Sequence, residues 1–234
     1  MIDIHSHILP GIDDGASNFD TSIDMVRELC EQGITDVIAT PHYIDETIYT
    51  SAMSENLVLL KELKKKMCEA GLKMNIYLGN EIYINGRIDE LIKNGEASCL
   101  AGTKYLLVEL PMSGDYPQYE DILKDLMDQG YKVVLAHPER YVSFQNDFEV
   151  IEHIYNMGVL LQCNIGSIIG QYGKKAKKTV KKLARKKMIF AFGTDIHHCR
   201  GVGMIEDAKK KLSKYYGEAE MEKVLHENAR KIID

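Results

Sequence analysis

Short apolar runs of β type alternate with amphipathic stretches along the whole chain, and this alternation constrains the fold most. Seven such runs cover residues 2–5, 35–40, 75–79, 105–109, 132–136, 159–163 and 189–193. Between them, helical periodicity covers residues 19–32, 54–71, 87–94, 117–129, 146–157 and 171–187, with a helical tail from about residue 203. Strands that alternate with helices predict a mostly parallel sheet with helices packed on it. The expected fold class is therefore α/β.

The length of the chain and the absence of a linker indicate a single domain. The 234 residues are a length that single α/β barrels commonly have. No linker rich in Pro, Gly and Ser divides the sequence, so we expect one domain over residues 1–234. Glycines stand where helices should end, which is typical of left-handed helix caps, at Gly33, Gly71, Gly130, Gly158 and Gly217.

Composition narrows the class of protein. No apolar stretch approaches the roughly 20 residues that span a bilayer, and the N-terminus lacks the pattern of a signal peptide. A net charge of -6 argues against general nucleic-acid binding. The five cysteines form no Cys-x-x-Cys pair, which favours reduced thiols and a cytoplasmic location. No cysteine is followed six positions later by Arg, so a phosphatase with a cysteine nucleophile is unsupported.

The first predicted strand carries a His-x-His pair, His5 and His7, followed closely by Asp13-Asp14-Gly15. Residues two apart on a strand point to the same side, so the two imidazoles should face one spot. Such a pair alone is weak evidence for metal, because histidine pairs also occur on surfaces or in hydrogen bonds.

Potential ligands also follow most of the other predicted strands. They are His42, Glu81, Glu109, His137, Asp195 and His197. In a parallel barrel the C-terminal strand ends meet at one face, where functional groups collect. Each residue alone has a structural explanation, such as a turn for His42 or a helix cap for Asp195. With His5, His7 and Asp14, however, the set places four carboxylates in one cleft, which is unfavourable unless cations compensate.

Nine side chains exceed what one ion binds, so a cluster of two or three divalent ions accommodates them better. Imidazole and carboxylate ligands without thiolate suit Mn, Fe or Zn, and the residue types do not choose among these.

Residues 174–187 hold nine basic residues in fourteen, with an apolar stripe at helical spacing. The usual explanation is a helix with a solvated basic face. The alternative is a docking surface for an acidic partner, a phosphorylated segment or an anionic membrane. The sequence leaves both interpretations open.

The motifs together resemble the PHP (polymerase and histidinol phosphatase) superfamily. Within it, the sequence is most similar to the bacterial manganese-dependent protein-tyrosine phosphatases associated with capsule and exopolysaccharide synthesis. The resemblance covers nearly the whole chain and rests on Asp3-Ile4-His5-Ser6-His7, Asp13-Asp14-Gly15, Thr40-Pro41-His42, Gly79-Asn80-Glu81, Val108-Glu109 and Ala136-His137-Pro138-Glu139-Arg140. It implies a distorted, TIM-like barrel of seven βα units.

The resemblance also implies a three-metal site, with manganese the favoured ion and Fe or Zn as alternatives. By matching motif positions, His5, His7, Glu81 and Asp195 would hold one ion; Glu81, Glu109 and His137 a second; and Asp14, His42 and His197 a third. Arg140 would bind the phosphate. Arg200 is a candidate second arginine, although its position fits the family pattern less well.

The implied reaction is hydrolysis of phosphotyrosine by a metal-activated hydroxide, with His42, Asp195 and His197 as candidates for proton transfer. The implied partner is the phosphotyrosine tail of a polysaccharide-synthesis kinase, met in the cytoplasm, with membrane association only through that kinase. The oligomeric state stays open. The alternatives are a histidinol-phosphate phosphatase or another PHP phosphoesterase, including a nuclease, and a non-catalytic metal-binding regulatory module.

The chain departs from related phosphatases around the last ligand pair, where Thr194 precedes Asp195 and His198 follows His197. We expect His198 to lie at the rim of the site. Two further histidines, His153 and His226, fall in helical patterns and are expected to have no chemical role.

Overall fold

The computed structural model describes residues 1–201 and 203–234. The strands in this part of the chain are β1 (Ile2–Ser6), β2 (Asp36–Ala39), β3 (His42–Tyr43), β4 (Asn75–Leu78), β5 (Glu81–Tyr83), β6 (Tyr105–Glu109), β7 (Lys132–Ala136), β8 (Leu160–Asn164) and β9 (Ile189–Gly193). The helices are α1 (Phe19–Glu31), α2 (Met53–Glu69), α3 (Ile88–Lys93), α4 (Tyr119–Asp128), α5 (Val142–Asn146), α6 (Phe148–Asn156), α7 (Ile165–Ile169), α8 (Gly173–Arg185), α9 (Met204–Leu212), α10 (Glu218–Glu222) and α11 (Asn228–Ile233). Short 3₁₀ turns lie at Leu100–Gly102 and Pro138–Arg140, and a π-helical turn at Lys223–Glu227 joins α10 to α11.

All strand pairs are parallel, which confirms the predicted α/β class. One sheet has the order β1-β2-β4 and the other the order β3-β5-β6-β7-β8-β9. The described residues contain nine strands rather than the seven predicted, because two strand positions are each divided into a longer and a shorter piece. Pro41 lies at the first division and has no N–H to donate to a ladder. The two divided strands remain paired across the division, because the Gly79 N–H after β4 donates to the Ala39 carbonyl at the end of β2, at 2.9 Å.

The last strand lies beside the first. The Asp195 N–H donates to the His5 carbonyl, and the His7 N–H donates to the Ile196 carbonyl, at 2.9 and 3.0 Å. The buried Asp3 carboxylate adds a second link, accepting hydrogen bonds from the Thr194 N–H and hydroxyl. These bonds join the two sheets into a TIM-like arrangement.

The arrangement is distorted where β4 approaches β6. There β6 pairs with β5, and the turn at Leu100–Gly102 lies against β4. A Cβ at Gly79 would come within 2.7 Å of the Leu100 side chain, so the glycine permits this close approach.

Two apolar cores result from the alternation of side chains along the strands. The larger core lies between strands and helices and contains Val37, Leu106, Val133 and Met25. The smaller core, called the floor below, consists of Ile2, Ile4, Ile38, Leu100, Tyr105, Leu107, Val134, Ala136, Ala191, Ala229 and Ile232. The last two belong to α11, which therefore covers the N-terminal ends of the strands. Complete burial of each large aliphatic side chain contributes about 1.5–3 kcal/mol.

Every predicted helix is present, with its ends shifted by no more than two residues. The sequence did not predict the five-residue helices α5 and α7, which lie within loops. Four of the five glycines have a left-handed backbone, with φ between 70 and 102° at Gly33, Gly71, Gly130 and Gly158. The prediction for Gly217 was wrong, because it has φ -70° and precedes α10 instead of ending a helix. Among the described helices none combines the length and apolarity that crossing a bilayer requires.

Candidate metal centre

Strand geometry brings the candidate ligands to the C-terminal ends of the strands. On β6, Leu107 packs in the floor and Glu109, two residues later, reaches the cleft above it. Likewise, Ile38 on β2 packs in the floor, and His42, four residues later, reaches the cleft. Most of the sequence-predicted sites line one cleft of about 260 Å³, together with Ile44, Tyr49 and Met112; they are Asp14, His42, Glu81, Glu109, His137, Arg140, Asp195 and His197. His5 and His7 are fully buried and do not belong to this lining.

The first group of side chains consists of His5, His7, Glu81 and Asp195. The two Nε2 atoms are 3.1 Å apart, and they lie 3.2 and 3.4 Å from Glu81 Oε2. Asp195 Oδ1 is 3.6 Å from His5 Nε2 and 3.5 Å from His7 Nε2. All four side chains are buried. The ligand atoms of His5, His7 and Glu81 therefore lie within 4.8 Å of one another, and Asp195 Oδ1 approaches both imidazoles.

Glu81 links this group to the second group, which adds Glu109 and His137. The other carboxylate oxygen of Glu81, Oε1, is 2.9 Å from His137 Nε2, and Glu109 Oε1 is 3.6 Å from the same nitrogen. His42 Nδ1 also approaches Glu81 Oε2, at 3.0 Å. One carboxylate is thus surrounded by four imidazoles.

The third group lies at the outer side of the cleft. Asp14 Oδ1 is 3.4 Å from His42 Nε2 and 3.2 Å from His197 Nε2. The Asp14 side chain is 54% exposed, whereas the Glu81 side chain is fully buried. This group is accordingly the one that solvent and a ligand can reach most directly.

Electrostatics in the centre reflect crowded charge. Burial, reinforced by the Glu81 and Asp195 carboxylates, raises the pKa of Glu109 to about 9. Burial lowers the pKa of His137 to about 4. The pKa of Glu81, in contrast, lies well below the usual value. Burial alone would raise it, but the imidazoles of His5 and His42 have a larger effect and lower it. Adjacent carboxylates that cannot all ionise favourably are typical of a cation site.

Two buried oxygens support this interpretation. Glu81 Oε2 and Asp195 Oδ1 have no hydrogen-bond partner among residues 1–201 and 203–234, although buried polar atoms normally have one. Both face the Nε2 atoms of His5 and His7. Metal–ligand bonds of about 2.1 Å place neighbouring ligands about 3.0–3.4 Å apart. The observed separations of 3.1–3.6 Å match that spacing, so the residues fit a metal ion.

Sequence reasoning missed the side chains that hold the candidate ligands in place. Asp13 Oδ2 lies 2.8 Å from His7 Nδ1 and accepts a hydrogen bond from the His42 N–H at 3.0 Å. On β8, Gln162 Oε1 lies 2.9 Å from His5 Nδ1. Such contacts from the far ring nitrogen orient the imidazole and leave Nε2 free for metal. Asp13 was visible in the Asp-Asp-Gly motif, but only the structure distinguishes its role from that of Asp14.

β8 also holds the carboxylate of Asp195. The Gln162 side-chain amide donates to Asn164 Oδ1 at 3.0 Å, and Asn164 Nδ2 donates to Asp195 Oδ2 at 2.7 Å. The polar alternation Gln162, Asn164 at the end of this strand is the signal that could have indicated the network.

Two candidate ligands have a left-handed backbone, His137 with φ 32° and Asp195 with φ 50°. This conformation is unfavourable for residues other than glycine and concentrates at functional sites. Gly193 contributes in another way, because a Cβ there would come within 2.6 Å of His5 Cβ. A side chain at position 193 would therefore displace His5.

The two candidate arginines both contact one aromatic ring, that of Tyr172. The guanidinium of Arg140 lies 4.6 Å from the ring centroid and that of Arg200 5.3 Å from it. Arg200 Nη1 donates to the Tyr172 hydroxyl at 2.7 Å, and Arg140 Nη1 donates to Asp195 Oδ2. The structure thus brings Arg200 to the edge of the centre, where its Nη2 donates to the Asp195 carbonyl at 3.2 Å. Tyr172 was not predicted.

The remaining histidines lie apart from these groups. His198 is exposed, as expected for a rim residue, and His153 is exposed on α6, 3.2 Å from Glu120. His226 lies in the π-helical turn before α11. All five cysteines are free.

The fold and the site together define a class: parallel α/β proteins with a cluster of imidazole and carboxylate ligands at the C-terminal ends of their strands. Within this class, the chain belongs to the capsular polysaccharide synthesis family CpsB/CapC, whose family model matches residues 1–234.

Relatives support this assignment along the whole chain. The tyrosine-protein phosphatase YwqE of Bacillus subtilis is 32% identical over 235 positions, covering 100% of this chain and 91% of that protein. The tyrosine-protein phosphatase CpsB of Streptococcus agalactiae serotype III is 27% identical, with 100% and 98% covered.

Solved structures agree. A chain from the crystal structures of YwqE from Bacillus subtilis and CpsB from Streptococcus pneumoniae, described as unique metal-dependent tyrosine phosphatases, has a TM-score of 0.92 and 31% identity, with 100% of this chain and 94% of that chain covered. The histidinol phosphate phosphatase from Lactococcus lactis has a TM-score of 0.56 and 16% identity, with 92% and 93% covered, which shows a shared fold only.

Proposed function

We propose that this chain is a metal-dependent protein-tyrosine phosphatase. The observation that carries the proposal is the buried Glu81 carboxylate, whose oxygens lie within 3.4 Å of nitrogens from four imidazoles. A carboxylate so surrounded suits a bridge between ions, and clusters of ions assist phosphoryl transfer. The relatives YwqE and CpsB are named tyrosine-protein phosphatases, which supports the same reaction.

We further propose three ions per chain, manganese being favoured and iron or zinc the alternatives. His5, His7, Glu81 and Asp195 would hold the first ion. Glu81, Glu109 and His137 would hold the second, and Asp14, His42 and His197 the third. The distances within each group support this division, and Glu81 Oε1 and Oε2 face different groups. We infer that residues 1–234 form one phosphatase domain, because α11 packs against β1 in the floor.

The chain's own residues would bind and orient the phosphate. When bound, divalent ions would supply Lewis-acid charge neutralisation and lower the pKa of water towards about 7, which would make a nucleophile available near neutral pH. Arg140 lines the cleft with a side chain 25% exposed, so its guanidinium can contact the equatorial phosphate oxygens. Arg200, which donates to the Tyr172 hydroxyl, would assist Arg140.

Proton transfer falls to the groups that border the cleft. His42 and His197 are partly exposed and are better placed than buried Asp195 to exchange protons with solvent. The leaving phenolate of tyrosine has a conjugate acid with a pKa of about 10, so a weak general acid suffices.

The proposed partner is a tyrosine kinase of polysaccharide synthesis, dephosphorylated on its phosphotyrosine tail in the cytoplasm. The family assignment to capsular polysaccharide synthesis supports this choice. Any membrane association would come through that kinase.

The proposal is tested by phosphate release from a phosphotyrosine peptide, measured with added Mn²⁺ and again after chelation. Hydrolysis that chelation abolishes and Mn²⁺ restores is expected. Histidinol phosphate and single-stranded DNA serve as parallel substrates for the other enzymes of this superfamily. Faster turnover of either of these would replace phosphotyrosine as the proposed substrate. If none of the three is hydrolysed in a metal-dependent way, the remaining hypothesis is a non-catalytic metal-binding regulatory module.

Substitution of one arginine separates phosphate binding from metal binding. Arg140→Ala is expected to lower turnover about 100-fold, because one preorganised donor to the developing charge is lost. Metal content per chain should stay unchanged, whereas His137→Ala should lower it. Full activity of Arg140→Ala would reject its role at the phosphate.

A further inference from the structure

Helix α8 carries a basic surface that the proposed reaction does not use. This surface, called the basic face, consists of Lys174, Lys175, Lys178, Lys181, Lys182 and Arg185. The opposite side of the helix buries Ala176, Val180 and Leu183 in the larger core. The helix therefore has a fixed orientation, and its charged side chains project outward.

The charge of the basic face is largely uncompensated. Within the described ranges 1–201 and 203–234, none of its six members forms an ion pair within 4.0 Å. The lysines just beyond it do form pairs, Lys186 with Glu152 at 2.6 Å and Lys187 with Glu220 at 3.8 Å. The positive charge is therefore available to a partner, even though the whole chain has a net charge of -6.

A groove of about 330 Å³ runs beside the basic face, between α8 and the segment that joins α5 to α6. Lys178 and Lys182 form one wall, and Lys182 Nζ lies 3.7 Å from the centroid of the Phe148 ring. Asp147 and Glu149 also line the groove, and Asp147 Oδ1 is occupied in accepting the Glu149 N–H. The groove thus offers both cationic and aromatic contacts.

The basic face and its groove are connected to residues beside the catalytic cleft. α8 starts one residue after Tyr172, whose ring contacts the guanidinium groups of both Arg140 and Arg200. At the other wall of the groove, Gln145 Nε2 donates to the Arg140 carbonyl at 3.3 Å. A chain whose phosphotyrosine occupies the cleft can therefore continue directly onto the basic face.

We propose that the basic face binds an acidic segment of the same polypeptide whose phosphotyrosine is hydrolysed. This inference rests on the proposed phosphatase function and names the substrate class as an acidic phosphopeptide. The 13 residues of α8 span about 20 Å, the length of about six extended residues. The recessed groove favours a polypeptide over a bilayer surface, which cannot enter it.

The test compares two substrates with two charge-reversed variants, all in the Mn²⁺-loaded full chain. One substrate is phosphotyrosine amide. The other is a set of peptides with six Asp or Glu residues on either side of the phosphotyrosine. The first variant is Lys174→Glu with Lys175→Glu and Lys178→Glu, at the end of α8 near the cleft. The matched control is Lys61→Glu with Lys64→Glu and Lys65→Glu, on exposed positions of α2.

For the unchanged chain we expect kcat/KM for the acidic peptides to fall as salt rises, because exposed charges are screened. In the α8 variant, kcat/KM for the acidic peptides should fall about tenfold at low salt, through KM, with turnover of phosphotyrosine amide unchanged. The α2 control should keep most of the preference for acidic peptides. Circular dichroism checks that all three proteins are folded.

Two results would overturn the docking proposal while leaving the phosphatase proposal intact. One is equal loss in the α8 and α2 variants, which would indicate only a general electrostatic field. The other is unchanged peptide kinetics together with loss of binding to phosphatidylserine vesicles, which would assign the basic face to a membrane. Failure of the unchanged chain to hydrolyse phosphotyrosine amide would instead contradict the phosphatase proposal itself.

Discussion

The N-terminal and C-terminal ends of the strands carry different kinds of side chain, although both ends belong to the same strands. At the N-terminal ends the floor is apolar, and residues such as Ile2, Leu107 and Ile232 are almost completely buried there. At the C-terminal ends, within two to four residues along the same strands, imidazoles and carboxylates face one another in the cleft. The comparison indicates that the floor stabilises the fold and that the strand ends carry the chemistry, so changes at the two ends should separate stability from activity.

The largest effect is expected at the cleft end, from Glu81→Gln. The amide keeps the shape of the side chain but lacks the charge that suits two ions, so phosphotyrosine turnover should fall about 1000-fold. Elemental analysis should find less metal per chain, with little change in the melting temperature of chelated protein. Glu62→Gln, on the partly exposed side of α2, is the matched control. Normal metal content and normal turnover in Glu81→Gln would refute the bridge.

At the floor, Leu107→Ala is expected to lower stability while leaving activity nearly unchanged. Loss of this fully buried side chain should lower the free energy of unfolding by about 2–5 kcal/mol, measured by urea denaturation. Turnover at 20 °C should stay within about twofold, because Glu109 keeps its place on β6. Val58→Ala, at a position 69% exposed, should change neither quantity. A large loss of activity with unchanged stability would contradict the division between the two ends.

A smaller effect is expected one layer behind the candidate ligands, from Asp13→Asn. The Asp13 carboxylate contacts His7 Nδ1, the His42 N–H and the Gly15 N–H, and an amide offers only one acceptor oxygen. Metal affinity, measured by titration with a competing chelator, should weaken about 10- to 100-fold. Asp24→Asn, an exposed position on α1, serves as the control. Unaltered affinity would mean that Asp13 does not orient His7.

The smallest effect is expected at the rim, from Tyr172→Phe. This change keeps the ring that contacts the two guanidinium groups but removes the hydroxyl that accepts from Arg200 at 2.7 Å. One hydrogen bond of about 1 kcal/mol corresponds to about fivefold weaker inhibition by inorganic phosphate. Metal content and kcat should be nearly unchanged, as in the control Tyr155→Phe. A change in metal content would assign Tyr172 to the metal centre rather than to the arginines.

Much of this organisation follows from local sequence signals. The strand at 105–109 and the helix at 19–31 follow from hydrophobic periodicity, which is a property of neighbouring residues. The family prediction is confirmed by the CpsB/CapC match over residues 1–234. On β6, simple alternation places Leu107 in the floor and Glu109 in the cleft, so the sequence alone predicts both positions.

Other positions depend on backbone irregularities that periodicity does not encode. In a regular strand, neighbours such as Ile4 and His5 point to opposite faces, yet Ile4 packs in the floor and His5 faces Glu81. The register of β1 against β2 shifts between Asp3 and Ser6, which redirects the side chains. The left-handed backbone at His137 and Asp195 has a similar effect at two other strand ends.

The sequence by itself determined the βα order, the longer helices and the residue types that collect at the strand ends, because these depend on spacing along the chain. Only the tertiary structure decided which atoms meet. It paired Asp13 with His7, it set the distances from Asp14 to His42 and His197, with which the family resemblance had already grouped it, and it brought Tyr172 next to Arg200. These contacts join residues up to 183 positions apart, from Asp14 to His197, and their geometry is fixed by the packing of whole strands rather than by any local preference.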